Sequence, residues 1–340
     1  METRIPSLFA RYNEIKQANP NLRIRDAAHE LHVSEAELIE AQVSGTSFRL
    51  KPTFQEILES VPSLGHVMAL TRNPTVVHER KGTYEQVSFS GHVGLVLGED
   101  IDLRLFIHAW KFAFAVEDGR NTSLQFFDAQ GVAVHKIFLQ PESNREAYHK
   151  ILNQFQAIDS DPIKVVPLPE KKEEFSDAEI DVQGFQKDWQ NLQDTHDFFP
   201  MLRKYKVSRT QALRLAPEGY VHKVSLDYLT QVLQNVVKEG FEIMVFVGNP
   251  GCIQIHTGSI QSWKPMGPWW NVLDPSFNLH LNSAHVASVY QVKKPTVDGI
   301  VTSIELFDAQ GEQIVQFFGK RKPGQPELAR WRGLLQECLV

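Results

Sequence analysis

The chain contains its own sequence twice. Residues 123–131 (SLQFFDAQG) return as 303–311 (SIELFDAQG), 180 positions later, with five residues in a row identical. Upstream, 67–74 (VMALTRNP) matches 243–250 (IMVFVGNP) at an offset of 176, Gly82 matches Gly258 at the same offset, and Val33-Ser34 matches Val207-Ser208 at 174. The slow drift puts small insertions in loops between matched elements. A period near 175 residues is too long for a solenoid and means two copies of one whole domain. Function is expected where the copies differ in chemistry.

A chain of 340 residues has room for two such domains, each with its own core. The formal net charge of −6 disfavours a nucleic-acid or membrane-surface binder. Two cysteines, Cys252 and Cys338, are too few for a disulfide framework or a thiolate metal cluster, and no CxxCH motif offers covalent haem attachment. Residues 1–17 carry scattered charges and no apolar core of signal length. No apolar run of about 18 residues exists to span a membrane. The cytoplasm is the expected compartment.

The expected organisation is an N-terminal repeat (1–158), a linker (159–178) and a C-terminal repeat (179–340). The linker carries Pro162, Pro167 and Pro169, then KKEE at 171–174, a stiff and charged spacer. Each repeat begins with helices. Phe54, Ile57, Leu58 and Val61 before Gly65, and Leu226, Leu229, Val232, Leu233 and Val236 before Gly240, follow helical spacing. Strands come next. Asn73-Pro74 and Asn249-Pro250 read as hairpin turns, and each DAQG as a four-residue hairpin loop with glycine at positive φ. A final helix closes each copy, around 146–155 and 326–338. The predicted class is α+β: a tandem repeat, each half a large antiparallel sheet with flanking helices.

Three groups of residues stand out. In WQNLQDTHDFFPML (189–202), Trp189, Leu192, His196 and Phe199 share one face if the segment is a single helix. A histidine in an aromatic stripe suits a neutral imidazole on iron; a core histidine bonded to a carbonyl is the commoner outcome. Copy one has Leu22 at the aligned place. In the strand 101–108, alternation sets Leu103, Leu105 and Ile107 against Asp102, Arg104, Phe106 and His108, where the twin strand has His280 in place of Arg104. A solvated polar face is the simpler reading of that alternation. Third, Lys293-Lys294 and Lys320-Arg321-Lys322 can hold carboxylates or phosphates, or be ordinary surface charge. Residues 26–38 imitate a helix-turn-helix, but Glu35, Glu37 and Glu40 on its second helix would face phosphates. A structural helix pair is expected there, and a regulatory DNA-binding role is the weakest of three functional hypotheses. No P-loop, dinucleotide, zinc-protease or hydrolase signature occurs.

The blocks NPTVVHE, GHVGLVLGEDIDLRLF, SLQFFDAQG with VHK, DTHDFF, EIMVFVGNPGCIQIHTG, KKPTVDGIVTSIELFDAQG and QFFGKR together resemble the cytoplasmic haemin-degrading and haem-trafficking family of HemS type from Gram-negative bacteria. The resemblance spans essentially the whole chain. It implies two similar β-rich halves with haem b as substrate or cargo, its iron held between them. It implies that His196 is the proximal iron ligand and Arg104 the distal arginine. It implies that Arg209, Lys294, Gln316 and Arg321 are contacts at the haem edge and propionates. His78, in the NPTVVHE block, is the reserve ligand. Two departures bear on fine tuning. Pro200 follows the Phe-Phe pair, where it can kink a helix, and Phe318 stands where the family often has tyrosine.

The function implied is degradation of imported haem: ring opening and iron release with electrons from an external reductant or reductase. Catalytic roles then fall to Arg104 and His196. The alternative is a non-catalytic carrier that takes haem, directly or from an importer, to a separate haem oxygenase. No nucleic-acid partner and no membrane span are expected.

Overall fold

Short helices open each repeat, one helix closes it, and the chain between is strand. The computed structural model describes residues 7–43, 45–158, 161–170, 173–322 and 324–339. Two compact units form. Unit 1 takes the chain up to Arg72, Glu79–Pro169 and Asn249–Gln254; unit 2 takes Asn73–His78, Glu170–Gly248 and Ile255 onward. Each unit thus contains a short turn segment that by numbering belongs to the other repeat. Lys171 and Lys172 of the proposed spacer lie outside the described residues, as does Pro323.

Unit 1 runs α1 (Leu8–Ala18), α2 (Ile24–Glu30), α3 (Glu35–Glu40), β1 (Ser47–Leu50), α4 (Phe54–Ser60), β2 (His66–Arg72), β3 (Val76–Thr83), β4 (Val87–Ser90), β5 (Val93–Leu97), β6 (Asp102–Phe106), β7 (Phe112–Glu117), β8 (Thr122–Phe127), β9 (Ala133–Leu139) and α5 (Arg145–Phe155). Strand β3 begins in unit 2. A five-stranded run orders β1-β7-β8-β9-β2, and β4, β5 and β6 form a second run. Both runs are antiparallel. Ile57, Leu58 and Val61 on the expected helical spacing pack with Ile151 and Phe155 of α5 against Leu124, Phe126 and Ile137 of the sheet. Each side chain of this size stabilises by about 1.5–3 kcal/mol when fully buried.

Unit 2 repeats the plan: α6 (Val182–Gln190), α7 (Phe198–Tyr205), α8 (Arg209–Arg214), β10 (Val221–Val224), α9 (Leu226–Glu239), β11 (Ile243–Asn249), β12 (Cys252–Gly258), β13 (Lys264–Met266), β14 (Trp269–Leu273), β15 (Phe277–Asn282), β16 (Ser288–Thr296), β17 (Gly299–Phe307), β18 (Gln313–Gly319) and α10 (Ala329–Glu337). The order β10-β16-β17-β18-β11 mirrors that of unit 1, with β13-β14-β15 as the second run. One sheet face is covered by Leu229, Val232 and Val236 of α9 with Trp331 and Leu335 of α10. Phe185, Trp189, Phe198 and Leu202, from α6 and α7, pack with Val292 and Phe307 of β16 and β17. The class is α+β, as the sequence pattern predicts.

The repeated turns are built alike. Asp128 Oδ1 accepts from the Gln130 and Val132 N–H groups, as Asp308 Oδ1 does from Gln310 and Glu312. Gly131 and Gly311 take φ of 74° and 78°, a region open to glycine and costly for side chains. At the Asn-Pro turns, Asn73 Oδ1 accepts from Thr75 and Val76, and Asn249 Oδ1 from Gly251 and Cys252. The Asn73 amide donates to the Gly248 and Ile314 carbonyls in unit 2, and that of Asn249 to Arg72 and Val134 in unit 1.

Three local expectations change. Residues 189–202 are not one helix: α6 ends at Gln190, a single 3-10 turn covers Thr195–Asp197, and α7 starts at Phe198. α6 closes on Asn191, and Asp194 opens a separate turn by capping it, its carboxylate accepting the His196 N–H at 2.8 Å, a competition that favours caps over helix interiors. Pro200 therefore sits in the first turn of α7, where a missing N–H costs nothing. His108 leaves the strand, because β6 ends at Phe106 and a 3-10 turn follows. The expected helix pair is present as α2 and α3. Its Glu35 is buried against Lys136 and Arg72, so the acidic helix serves the unit's interior.

Candidate functional site

Two of the residues flagged in the C-terminal repeat, Lys294 and Arg209, meet at one ring, Phe198. The segment that carries it is pinned at two points, to β16 and to the residue just after it: the Trp189 indole N–H donates to the Lys293 carbonyl at 3.0 Å, and the Val297 N–H donates to the Gln193 carbonyl at 2.9 Å. Trp189 meets Phe198 edge to face at 4.7 Å. Between Gln193 and Phe198 the chain turns outward, and His196 stands on that turn with 89% of its side chain exposed. The core-histidine alternative is thereby removed.

His196 is oriented. Its Nδ1 lies 2.6 Å from Asp194 Oδ1. A ring that donates Nδ1–H to a carboxylate presents Nε2 as a lone-pair donor, the second-shell arrangement that fixes histidine ligands. Asp194 is held below the usual carboxylate range, first by the His196 backbone N–H and then by the imidazole and the field of Arg321. Asp194 was not singled out by sequence reasoning; the D-x-H spacing was the available signal.

Beneath the turn, Lys294 and Arg209 lean on opposite partners: both approach Phe198, with Lys294 Nζ 4.6 Å and Arg209 Cζ 5.3 Å from the ring centre, and both bind Glu305. Lys294 Nζ is 2.6 Å from Glu305 Oε1; Arg209 Nε and Nη2 are 3.0 and 2.9 Å from Oε2. Ser303 and Gln313 donate to the same carboxylate at 2.9 and 3.0 Å. Lys294 is 4% exposed and Glu305 not at all. Burial pushes Glu305 up, but Arg209 and Lys294 outweigh it and hold the carboxyl well below its usual range. Burial pushes the Lys294 amine down, against the pull of Glu305.

Glu305 is a second residue that sequence reasoning missed. Its repeat partner is Gln125 at the offset of 180, so the difference between copies was legible. The first residue of the helix after the Val-Ser pair also changes sign, from Glu35 to Arg209. In unit 1 that residue supplies the buried anion, held by Lys136 and Arg72; in unit 2 it supplies a cation.

Gln316 lies opposite Glu305 and Phe246 in the sheet register, half-buried. Phe318, two residues on, meets Phe246 edge to face at 5.0 Å. Arg321 follows β18, and its Nη1 is buried with no hydrogen-bond acceptor among the described residues. Unit 2 thus assembles an outward histidine, an aromatic sheet face and one unspent guanidinium donor. These suit a flat apolar ligand bearing a metal and carboxylates.

Arg104 lies in unit 1 on β6, opposite Leu95. Its Nη1 binds the Asp102 carboxylate and the Leu103 carbonyl, the latter at 3.1 Å. Burial raises Asp102 against the opposing effect of Arg104. The reserve ligand His78 is buried, 4.9 Å from the Phe277 ring, which His256 stacks on from 3.8 Å. It is a packing residue of unit 2.

Comparison with known proteins agrees with this organisation. The family model for the haemin-degrading HemS.ChuX domain matches twice, over residues 32–155 and 206–338. The chain is 38% identical over 331 residues to the hemin transport protein HemS of Yersinia enterocolitica, covering 96% of this chain and 95% of that one. Among solved structures it is similar to apo-PhuS, a heme-binding protein from Pseudomonas aeruginosa: TM-score 0.94, 44% identity, 97% of this chain and 98% of that chain. It is also similar to ChuS, an E. coli heme oxygenase: TM-score 0.89, 34% identity, 98% and 100% covered. Two matched domains and full-length relatives make the assignment: the chain belongs to the HemS family of haemin-degrading-domain proteins.

Proposed function

We propose that this protein binds haem as a substrate, with His196 as the iron ligand, and opens its ring using electrons from an external reductant. The observation that carries the reading is the outward His196, held by Asp194 at 2.6 Å beside a cluster of cations and aromatic rings. Haem itself, once reduced, supplies the oxygen chemistry. The chain's contribution is position and field. Asp194 keeps the imidazole's proton on Nδ1, so that Nε2 is the ligand. The half-buried Phe246 and Phe318 offer an apolar face to a macrocycle. Arg321, with Nη1 unspent, is proposed for a propionate; Gln316 and Arg209 border the same face and are proposed as haem-edge contacts. Lys294 is proposed to add its positive charge through the ion cluster. For Arg104 we carry forward the role implied by resemblance, a donor to an oxygen ligand of the iron, worth more than a neutral hydrogen bond because it is charged. The cytoplasm is the compartment this reading requires, since the reductant must be cellular. No described helix is long and apolar enough to cross a membrane.

A second reading keeps the site and removes turnover: a carrier that receives haem from an importer and passes it to a separate oxygenase. It is favoured by the relatives named as transport and heme-binding proteins. One experiment separates the two. Purified protein is mixed with haem, a reductant, oxygen and catalase, and the Soret band is followed with mass analysis of the product. Loss of the band with a ring-opened product supports degradation. A stable band that moves to an added apo-oxygenase supports the carrier. Without catalase, free peroxide would destroy haem unaided.

A further inference from the structure

We propose that Glu305 is a positioning residue of the haem site: by holding Lys294 and Arg209 against Phe198, it fixes the turn that presents His196. This rests on the reading of His196 as a haem ligand. Among the described residues, no hydrogen bond or ion pair joins Glu305 to that turn. It acts through two cations and one ring, and every contact in the chain of action is internal to unit 2.

The geometry is over-determined at the carboxylate. Glu305 is fully buried and accepts from four side chains: Lys294 and Ser303 at Oε1, Arg209 and Gln313 at Oε2. A carboxylate so held has no freedom to follow a ligand. Its two cations are thereby placed, and both place Phe198, at 4.6 and 5.3 Å from the ring centre. Cation–π contacts strengthen when desolvated, and Lys294 and Phe198 are both buried. Phe198 is the first residue of α7, and the capped turn Thr195–Asp197 ends against it. His196 therefore stands two residues from a ring clamped between Trp189 on one side and a buried ion cluster on the other. The hydrogen bonds that hold the turn are those of its own caps and the neighbouring Gln193–Val297 bond. Remove the anion, and buried Lys294 and half-buried Arg209 repel, Lys294 sheds its proton or moves toward water, and Phe198 loses both cations. Copy one supports the assignment by contrast. There Gln125 replaces Glu305, and no histidine stands at the place aligned with His196.

The test compares the parent, Glu305→Gln and Glu305→Asp as full chains. In the haem-free proteins, hydrogen–deuterium exchange is followed by peptide. The proposal expects residues 193–201 to exchange roughly tenfold faster in the Gln variant while β17 and β18 stay protected, with Glu305→Asp close to the parent. With haem added, the Gln variant should give a heterogeneous Soret and iron–histidine signature that the Asp variant restores. Unchanged exchange over 193–201 overturns the proposal. So does a uniform rise across the whole unit, which is what a merely structural carboxylate would give. If Glu305→Gln does not fold, Phe198→Leu leaves the ion cluster whole and removes the ring. Loosening confined to 193–201 then supports the clamp, and parent-like exchange overturns it. A parent that shows no Soret change with haem overturns the haem reading instead, and the exchange result still decides Glu305.

Discussion

Asp194 accepts both the backbone N–H and the ring Nδ1 of His196, at 2.8 and 2.6 Å. One carboxylate therefore sets the turn, the tautomer and the ring angle together. This yields the first expectation. His196→Ala should lower haem affinity, or give the Soret spectrum of a replacement ligand. Asp194→Asn should keep the spectrum of a histidine ligand and weaken binding by about 10–100-fold, the usual effect of losing a second-shell partner. Titration of haem into the three proteins checks both. A parent-like spectrum and affinity in His196→Ala would remove the assignment.

Arg104 is expected to tune and not to anchor, because a guanidinium has no lone pair to give iron. Arg104→Ala should retain haem, change the acidity of water on the iron and slow oxygen-dependent loss of the Soret band. A pH titration of the ferric spectrum measures the first effect, and the catalase-protected assay the second. An apo-like spectrum would show that Arg104 does more.

Arg321 and Lys294 should differ, although both are basic residues near strand ends. Lys294 Nζ is spent on Glu305, while Arg321 Nη1 is unspent. A partly buried charge-assisted bond to a propionate contributes about 1.5–3 kcal/mol, so Arg321→Ala should weaken haem binding by one to two factors of about ten. Haem esterified at both propionates should show a much smaller gap between parent and variant. Lys294→Ala should instead lower stability, because Glu305 would lose a buried partner. Equal losses with free and esterified haem in Arg321→Ala would end the propionate role.

His135 makes acid stability testable in unit 1. It is buried, with Thr71 Oγ1 at 2.8 Å from Nδ1 and the Tyr84 hydroxyl at 2.6 Å from Nε2. Burial pushes it down to about 3, against about 6.5 when unfolded. Between those values the unfolded chain holds a proton that the folded chain lacks, so stability falls as pH drops below about 6.5. At pH 5 the loss from this group is about 2 kcal/mol. His135→Gln should be less stable than the parent at pH 7.5 but lose less between pH 7.5 and 5. Urea unfolding at both values measures this, and equal losses in the two proteins would mean that His135 titrates alike in the folded and unfolded chains.

The repeat, the class and the hairpin loops were legible because they rest on local chemistry. FDAQG encodes its own turn through Asp128 and Gly131, and again through Asp308 and Gly311. Helical spacing found α4 and α9. What periodicity misread was 189–202, where apolar spacing at 3, 4 and 3 continued past a residue, Asp194, that prefers to cap. Polar competition for the backbone leaves no mark on a hydrophobic pattern. The basic residues were visible as charges, but which were already spent was not. That depends on Glu305, brought beneath Phe198 by pairing between β16 and β17. The left-handed residues His32 and Lys206, with φ of 56° each, were equally silent, since neither is a glycine.

Asn73 and Asn249 decide where the chain can be divided. By numbering Asn73 belongs to the first copy, yet its amide closes two carbonyls of unit 2, and Asn249 does the converse for unit 1. A lesion in one copy's turn is therefore inherited by the other copy's core. Neither repeat, cut out by its numbering alone, would carry every donor that closes its own carbonyls, because each borrows an asparagine amide from the other.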